Sequence, residues 1–387
     1  MAWTLGLLPP SAVTLTVGGT NGKGSSATLL AGLYRGAGYR TGLYTSPHLL
    51  HYNERVAIDG ALARDEDLVA AFEAIDAARG GVSLTYFEFG TLAALWLFRR
   101  AQVQVQVLEV GLGGRLDAVN IVDADAAMVT NIGLDHTDWL GDTREAIARE
   151  KAGIWRAGRP AVSADPDPPA TLAEEAARIG APLQQLGRDF SALPSADAWT
   201  WSGAGARYKK LPPPALAGAA QLRNAAGAIA LAQSLQARLP FTVIQLRTAL
   251  AGLRLPGRFE LRGRLLLDVA HNAEAAAVLA ENIAASGMHP RALILGMLAD
   301  KPVEAVCAAL APHAERVFFI GLPGPRGLSA DALRTRAAAG GLRGEVCADA
   351  AAAGAMARAA AGSHGVILAT GSFLTVAEVL QSWPAHG

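Results

Sequence analysis

Short apolar runs recur along the chain, and most are followed by a stretch with helical spacing. Val13, Leu15 and Val17 alternate with threonines across 12–17, as a buried strand would, and 27–34 carries the period of a helix on Leu29, Leu30, Leu33 and Tyr34. Further β-rich runs fall at 41–44, 103–110, 126–132, 265–269, 292–295, 317–320 and 365–369, separated largely by alanine-rich segments. This alternation predicts an α/β fold of parallel sheets wrapped by helices. Helices are also predicted at 91–100 and from an Asp142/Glu145 capping pattern through Trp155. Pro- and Asp-rich 165–169 and Leu211–Pro214 read as loops. Residues 253–258 read as a joint, which divides the chain into domains 1–254 and 255–387.

Composition narrows the function classes. A chain of 387 residues has room for about two domains with their own cores. Lys+Arg and Asp+Glu both number 34, so no charge excess points to nucleic acid or an anionic membrane. Two cysteines, Cys307 and Cys347, are too few for a disulfide framework and suit a reducing cytoplasm. No run of about 18 strongly apolar residues occurs, and Met1–Pro10 lacks the basic flank of a signal peptide. A soluble protein is expected.

The densest chemistry lies at Val17–Ser26, a glycine-rich turn with one lysine between a strand and a helix. Gly18, Gly19, Gly22 and Gly24 let successive backbone N–H groups point at one anion, while the helix N-terminus adds its dipole and Lys23 a charge. Gly24 separates Lys23 from Ser25, a departure from the common phosphate loop. A merely flexible turn is the plain alternative, but strand, turn, lysine and helix fall in the order a nucleotide site needs.

Four other segments carry polar groups into predicted strand ends or helix faces. Glu109 closes an apolar strand before the glycine turn 111–114, where a carboxylate can hold magnesium or be an ordinary strand-end charge. After the strand 127–132 come Asp135, His136 and Asp138, and oxygen preference nominates the aspartates. Lys151 shares a helical face with Ile147 and Ile154, either snorkelling along it or serving a purpose there. Ser46 sits in a loop broken by Pro47, and Tyr86 and Phe87 precede the predicted helix at 91, suited to a flat ring or to the core.

Together and in this order, these pieces resemble the folate ligases of the Mur ligase superfamily, the folylpolyglutamate synthases and their bifunctional dihydrofolate synthase relatives. The carriers are Gly19–Ser25, Ser46-Pro47-His48, Thr85-Tyr86-Phe87-Glu88, Glu109–Asn120, Asp135-His136-Thr137, Glu150–Gly153, Pro256–Phe259 and Asp268–Asn272. The resemblance implies a phosphate-loop NTPase-like central domain followed by a Rossmann-like domain, both with mainly parallel sheets. It implies that Thr20, Asn21, Gly22, Lys23, Gly24 and Ser25 cradle the triphosphate of ATP. Asn224, Arg258 and Asp268 then hold adenine, phosphate and ribose across the domain joint.

The same resemblance makes Ser46, Glu109 and His136 magnesium ligands, so the preference for Asp135 gives way to its neighbour. Lys151 matches a lysine carried as a carbamate, which completes a site for two Mg2+ ions. Lys23, Lys151 and His271 are the implied catalytic residues, His271 meeting phosphate or glutamate. Thr85, Tyr86, Phe87, Glu88 and Leu116 lie near the pterin. The implied substrates are dihydropteroate, tetrahydrofolate and its polyglutamates, and L-glutamate, joined through an acyl phosphate in a monomeric cytoplasmic enzyme. A peptidoglycan-precursor ligase of Mur type is one competing reading, which should lack the segments at 46–48 and 85–88. A nucleotide-binding module without catalysis is another, and the intact set Lys23, Glu109, His136 and Lys151 argues against it. One departure is that only 16 residues precede Val17, fewer than the family uses to place a helix there.

Overall fold

A computed structural model describes residues 1–384 of the chain. They form two compact units, one of Met1–Ala215 with Ala219–Arg254, the other of Leu216–Gly218 with the chain from Leu255 onward. In the first unit, eight strands make one sheet: β1 (Val13–Gly18), β2 (Thr41–Tyr44), β3 (Val56–Ile58), β4 (Ala61–Leu62), β5 (Val105–Glu109), β6 (Ala126–Val129), β7 (Ala161–Ser163) and β8 (Leu183–Gln185). Their order is β4-β3-β2-β5-β1-β6-β7-β8, parallel except for β3 and β4. All six residues of β1 are buried. The buried Thr14 hydroxyl is met by Gln106, whose Nε2 donates to it at 2.8 Å, while the Thr16 hydroxyl is buried without a hydrogen-bond partner.

The connection from β1 to β2 passes over β5, so the sheet changes direction at the end of β1. Such a switch point opens a crevice at the carboxyl ends of the strands. Register places Val17 opposite Glu109, and Gly18 opposite Val129, on either side of that crevice.

Eight helices cover this unit: α1 (Lys23–Gly36), α2 (Asp65–Arg79), α3 (Tyr86–Arg100), α4 (Thr137–Leu140), α5 (Arg144–Ala152), α6 (Ala170–Ile179), α7 (Ala219–Ser234) and α8 (Val243–Ala251). Two begin elsewhere than expected. α3 starts at Tyr86, not Thr91, because Thr85 and Glu88 form a reciprocal capping box that satisfies two orphan amides. α5 starts at Arg144 under Thr143, whose hydroxyl accepts from the Ala146 amide, in place of the Asp142 cap. The sequence reading also passed over a three-stranded antiparallel sheet, β9 (Phe190–Pro194), β10 (Trp199–Gly203) and β11 (Ala206–Leu211). It is pinned to α7 by the Trp201 indole N–H, which donates to the Ala226 carbonyl at 3.0 Å.

The second unit is a six-stranded sheet in the order β12-β13-β17-β14-β15-β16. Its strands are β12 (Glu260–Arg262), β13 (Leu265–Leu267), β14 (Pro290–Leu295), β15 (Arg316–Phe319), β16 (Glu345–Val346) and β17 (Val366–Thr370), parallel apart from the β12–β13 hairpin. Five helices, from α9 (Ala273–Ser286) to α13 (Phe373–Ser382), cover it around a core that includes Leu266, Leu293, Phe319 and Leu368. Among the described residues no helix is long and apolar enough to cross a membrane.

Candidate active site

The phosphate-loop sequence folds into a tight turn between β1 and α1. Gly19 has φ +137 and Gly22 φ +81, and a Cβ at Gly19 would collide with Thr130. Only glycine fits that close approach. The loop is held from the end of β6: the Thr20 amide donates to the Asn131 carbonyl at 2.9 Å, and the Asn21 amide to Asn131 Oδ1 at 2.8 Å. Thr130 Oγ1 donates to the Asn21 carbonyl at 2.6 Å. Gly24 and Ser25 are buried in the first turn of α1, and Asn224 on α7 lies against Gly22.

Two lysines converge on one carbonyl of this loop. Lys23 Nζ donates to Gly19 O at 3.0 Å and to Thr20 O at 2.9 Å. Lys151 Nζ, from the last turn of α5, donates to the same Gly19 O at 2.8 Å. Lys151 is 4% exposed, so it does not snorkel to water. Burial, reinforced by the nearby Lys23 cation, pushes its amine down to about 7. A buried lysine of that basicity is in large part an uncharged nucleophile at neutral pH.

Beside the loop, the segments that follow the strand ends carry the candidate metal ligands. Glu109, buried at the end of β5, accepts the Ser46 amide at 2.8 Å on Oε2. His136 caps α4 in the left-handed region with φ 53, its amide on Asp135 Oδ1 at 2.9 Å. Among the described residues no three His, Cys, Asp or Glu side chains converge as a metal cage. That donor set fits magnesium on a nucleotide, which takes one or two carboxylates and completes its shell with phosphate oxygens and water.

The glycine turn after Glu109 is organised by Asp117, which accepts the amides of Gly111 (3.0 Å), Leu112 (2.9 Å) and Val119 (3.0 Å). Packing of this carboxyl out of water raises it above its ordinary value, with those amides opposing. Arg115 and Asn120 tie the same loop to α5: Arg115 Nη2 donates to Glu150 Oε1 at 2.9 Å, and Asn120 Nδ2 to the Gly153 carbonyl at 3.0 Å. The loop thereby presents Leu116, 79% exposed, to solvent. Tyr86 is exposed as well, while the Phe87 ring packs on Tyr44 and lies where a Cβ of Gly111 would sit. Thr85 and Glu88 are spent on each other, the Thr85 amide donating to Glu88 Oε2 at 2.7 Å.

In the second unit, Arg258 stacks on Phe373, its guanidinium carbon 5.1 Å from the ring centroid. Asp268 accepts the amides of Phe259 and Ala270, both at 2.8 Å. Its surroundings push the carboxyl up, with Arg258 opposing. His271 Nδ1 lies 2.8 Å from the Val269 carbonyl, which can only accept, so Nδ1 carries the proton. Arg258 and His271 thus share Phe373, while Asp268 fixes the backbone between them.

Thr130, Asn131 and Asp117 were missed as site residues. The sequence pattern places the first two inside the strand 127–132, whereas they stand past its end, at the switch point where loops gather. Asp117 falls inside the 109–120 motif, where an aspartate immediately before a short helical turn is a capping signal.

Two family descriptions match this chain: the Mur ligase middle domain over residues 17–162 and the Mur ligase glutamate ligase domain over 257–373. The dihydrofolate synthase/folylpolyglutamate synthase of Escherichia coli is 42% identical over 385 residues, 98% of this chain and 89% of that protein. The structure of E. coli FolC in complex with DHPP and ADP superposes with a TM-score of 0.93 at 42% identity, covering 98% of this chain and 90% of that one. The bifunctional folylpolyglutamate synthase/dihydrofolate synthase from Yersinia pestis, complexed with AMPPNP and Mn, gives 0.90 at 41% identity, covering 98% and 91%. With both domain descriptions matched and such relatives aligned over nearly its whole length, the chain belongs to the dihydrofolate synthase/folylpolyglutamate synthase family of Mur ligases.

Proposed function

We propose that the chain is a bifunctional ATP-dependent amide ligase. It adds L-glutamate to dihydropteroate and to the γ-carboxylate of tetrahydrofolates and their polyglutamates. The observation that carries this reading is the meeting of Lys23 and Lys151 on the Gly19 carbonyl, at the switch point and next to the Ser46–Glu109 pair. A phosphate loop that only bound nucleotide would have no use for a second, buried amine there.

Because the Thr20 and Asn21 amides are held by Asn131, the backbone amides of residues 22–24 take the triphosphate, with Lys23 leaving the Gly19 and Thr20 carbonyls for the phosphoryl oxygens. A substrate carboxylate oxygen bonds to the γ-phosphorus as ADP departs. The amine of glutamate then attacks the acyl carbon, and phosphate leaves with the bonding pair as the amine loses a proton. Lys23 and Arg258 offset the charge that grows during transfer, where most of the catalytic gain in phosphoryl chemistry lies. Ser46, Glu109 and His136 are the residues to hold one Mg2+ and a carbamate on Lys151 the second, supplying charge neutralisation at the phosphate oxygens. Asn224 and Asp268 serve adenine and ribose, and His271 meets phosphate or the incoming glutamate. Tyr86, Phe87 and Leu116 offer apolar contact to the pterin, and Thr85 and Glu88 act by fixing the start of α3.

We place the enzyme in the cytoplasm as a monomer, with small molecules as its partners, since both cysteines are unpaired and the charge is balanced. Phosphate release from ATP and glutamate, measured with dihydropteroate and separately with tetrahydrofolate, tests this. Activity with both is expected. Activity with neither refutes the ligase, and activity with only one refutes bifunctionality.

A further inference from the structure

Arg55 stands outside the machinery described so far. It closes the short turn 52–55, is 8% exposed, and carries a charge whose burial calls for compensation. Its Nε donates to His48 Nδ1 at 2.8 Å. Its guanidinium carbon lies 5.5 Å from the Tyr52 ring centroid and 5.4 Å from that of Tyr86. The two rings flank it on one side, their centroids 5.9 Å apart and their planes at 87°, within the reach of cation–π contacts. Nothing among the described residues engages its two terminal nitrogens, and no carboxylate comes within ion-pair distance. The acidic groups of the neighbouring segments are committed: Glu54 accepts the amides of Leu49, Leu50 and His51, and Glu88 that of Thr85.

The position of this cation says what it faces. Tyr86, which covers it, is 63% exposed and belongs to the segment assigned to the pterin substrate. His48, which orients it, is two residues from Ser46, a span of at most about 7 Å. Arg55 therefore lies between the aromatic segment and the site of phosphoryl transfer. A guanidinium flanked by aromatic rings, with its two terminal nitrogens uncommitted, is built for a planar two-oxygen acceptor. The two substrates differ in having one. Dihydropteroate has a single carboxylate, consumed in the reaction, whereas tetrahydrofolate has an α-carboxylate four bonds from the γ-carboxyl carbon that is activated.

Resting on the function proposed above, we propose that Arg55, oriented by His48, binds the α-carboxylate of the terminal glutamate of folate substrates and sets the enzyme's handling of tetrahydrofolates apart from that of dihydropteroate.

The test is steady-state kinetics on the full chain and on Arg55→Gln and Arg55→Lys, with dihydropteroate, tetrahydrofolate and a tetrahydrofolate whose α-carboxylate is a carboxamide. A charge-assisted hydrogen bond of this kind predicts that R55Q raises KM for tetrahydrofolate about ten-fold or more, leaves the dihydropteroate KM and both kcat values near wild type, and treats the carboxamide like tetrahydrofolate. R55K, with charge but no fork, is expected to lie between. Should R55Q not fold, the wild-type comparison decides: a carboxamide as good as tetrahydrofolate overturns the proposal. Equal KM increases for both pterin substrates also overturn it, placing Arg55 on a ring carbonyl they share. A wild-type chain inactive with every substrate refutes the ligase reading itself.

Discussion

Turnover of the Lys151→Ala variant is expected to fall about a thousand-fold or more, with bicarbonate or short carboxylates such as acetate restoring part of it. Lys151 is buried on the same carbonyl as Lys23, so its amine is largely withdrawn from water. An uncharged Nζ can add to carbon dioxide, which turns a cation into an anionic oxygen donor beside the phosphate loop. With the amine pushed down to about 7, the uncharged share rises from about one tenth at pH 6 to nine tenths at pH 8. Wild-type activity in buffers low in carbon dioxide is therefore expected to fall on acidification through that range. Arginine or methionine at 151 should not be rescued, since either fills the space that an added carboxylate needs. Full activity in Lys151→Ala without additives would remove the carbamate from the account.

Replacing Lys23 with methionine is the second large effect, a loss of about a hundred- to a thousand-fold in kcat. Its ammonium sits on two loop carbonyls, and in the proposed mechanism it leaves them for the transferring phosphoryl group. Methionine keeps most of the stem and so leaves the packing of α1 in place. A further consequence separates this variant from a simple loss of affinity. Lys23 is one of the causes that depress Lys151, so without it Lys151 holds its proton to higher pH. The acid limb of the residual pH–rate profile is expected to move upward. Single-turnover kinetics across pH measures both effects.

The fold was largely legible from periodicity. The run at 41–44 coincides with β2, and the runs for β1, β6, β14, β15 and β17 lie within a few residues of their observed ends. What escaped has local causes. β9 to β11 are half-exposed and interrupted by Ser195, Gly203 and Gly205, so no apolar run marks them, and their burial comes through Trp199 and Trp201. At α3 the capping box was present in the sequence, but Tyr86 and Phe87 drew the reading toward a binding loop. Among site residues, Ile147 and Ile154 put Lys151 on an apolar face but left open whether its amine snorkels to water, and the partner that holds it inside, Gly19 O, lies 132 positions away. No spacing rule reaches such a contact. Arg55 was invisible for the same reason, because neither its burial nor the commitment of Glu54 elsewhere can be read from a single arginine in a loop.

The central claim is that a substrate carboxylate is activated by phosphoryl transfer and then captured by glutamate. Dihydropteroate carrying a heavy oxygen isotope in both carboxylate positions, turned over with ATP and unlabelled glutamate, tests it by mass analysis of the released phosphate. The account predicts one labelled oxygen in the phosphate for each amide bond formed, because the oxygen that bonds to phosphorus leaves with it. Unlabelled phosphate alongside amide product would contradict it.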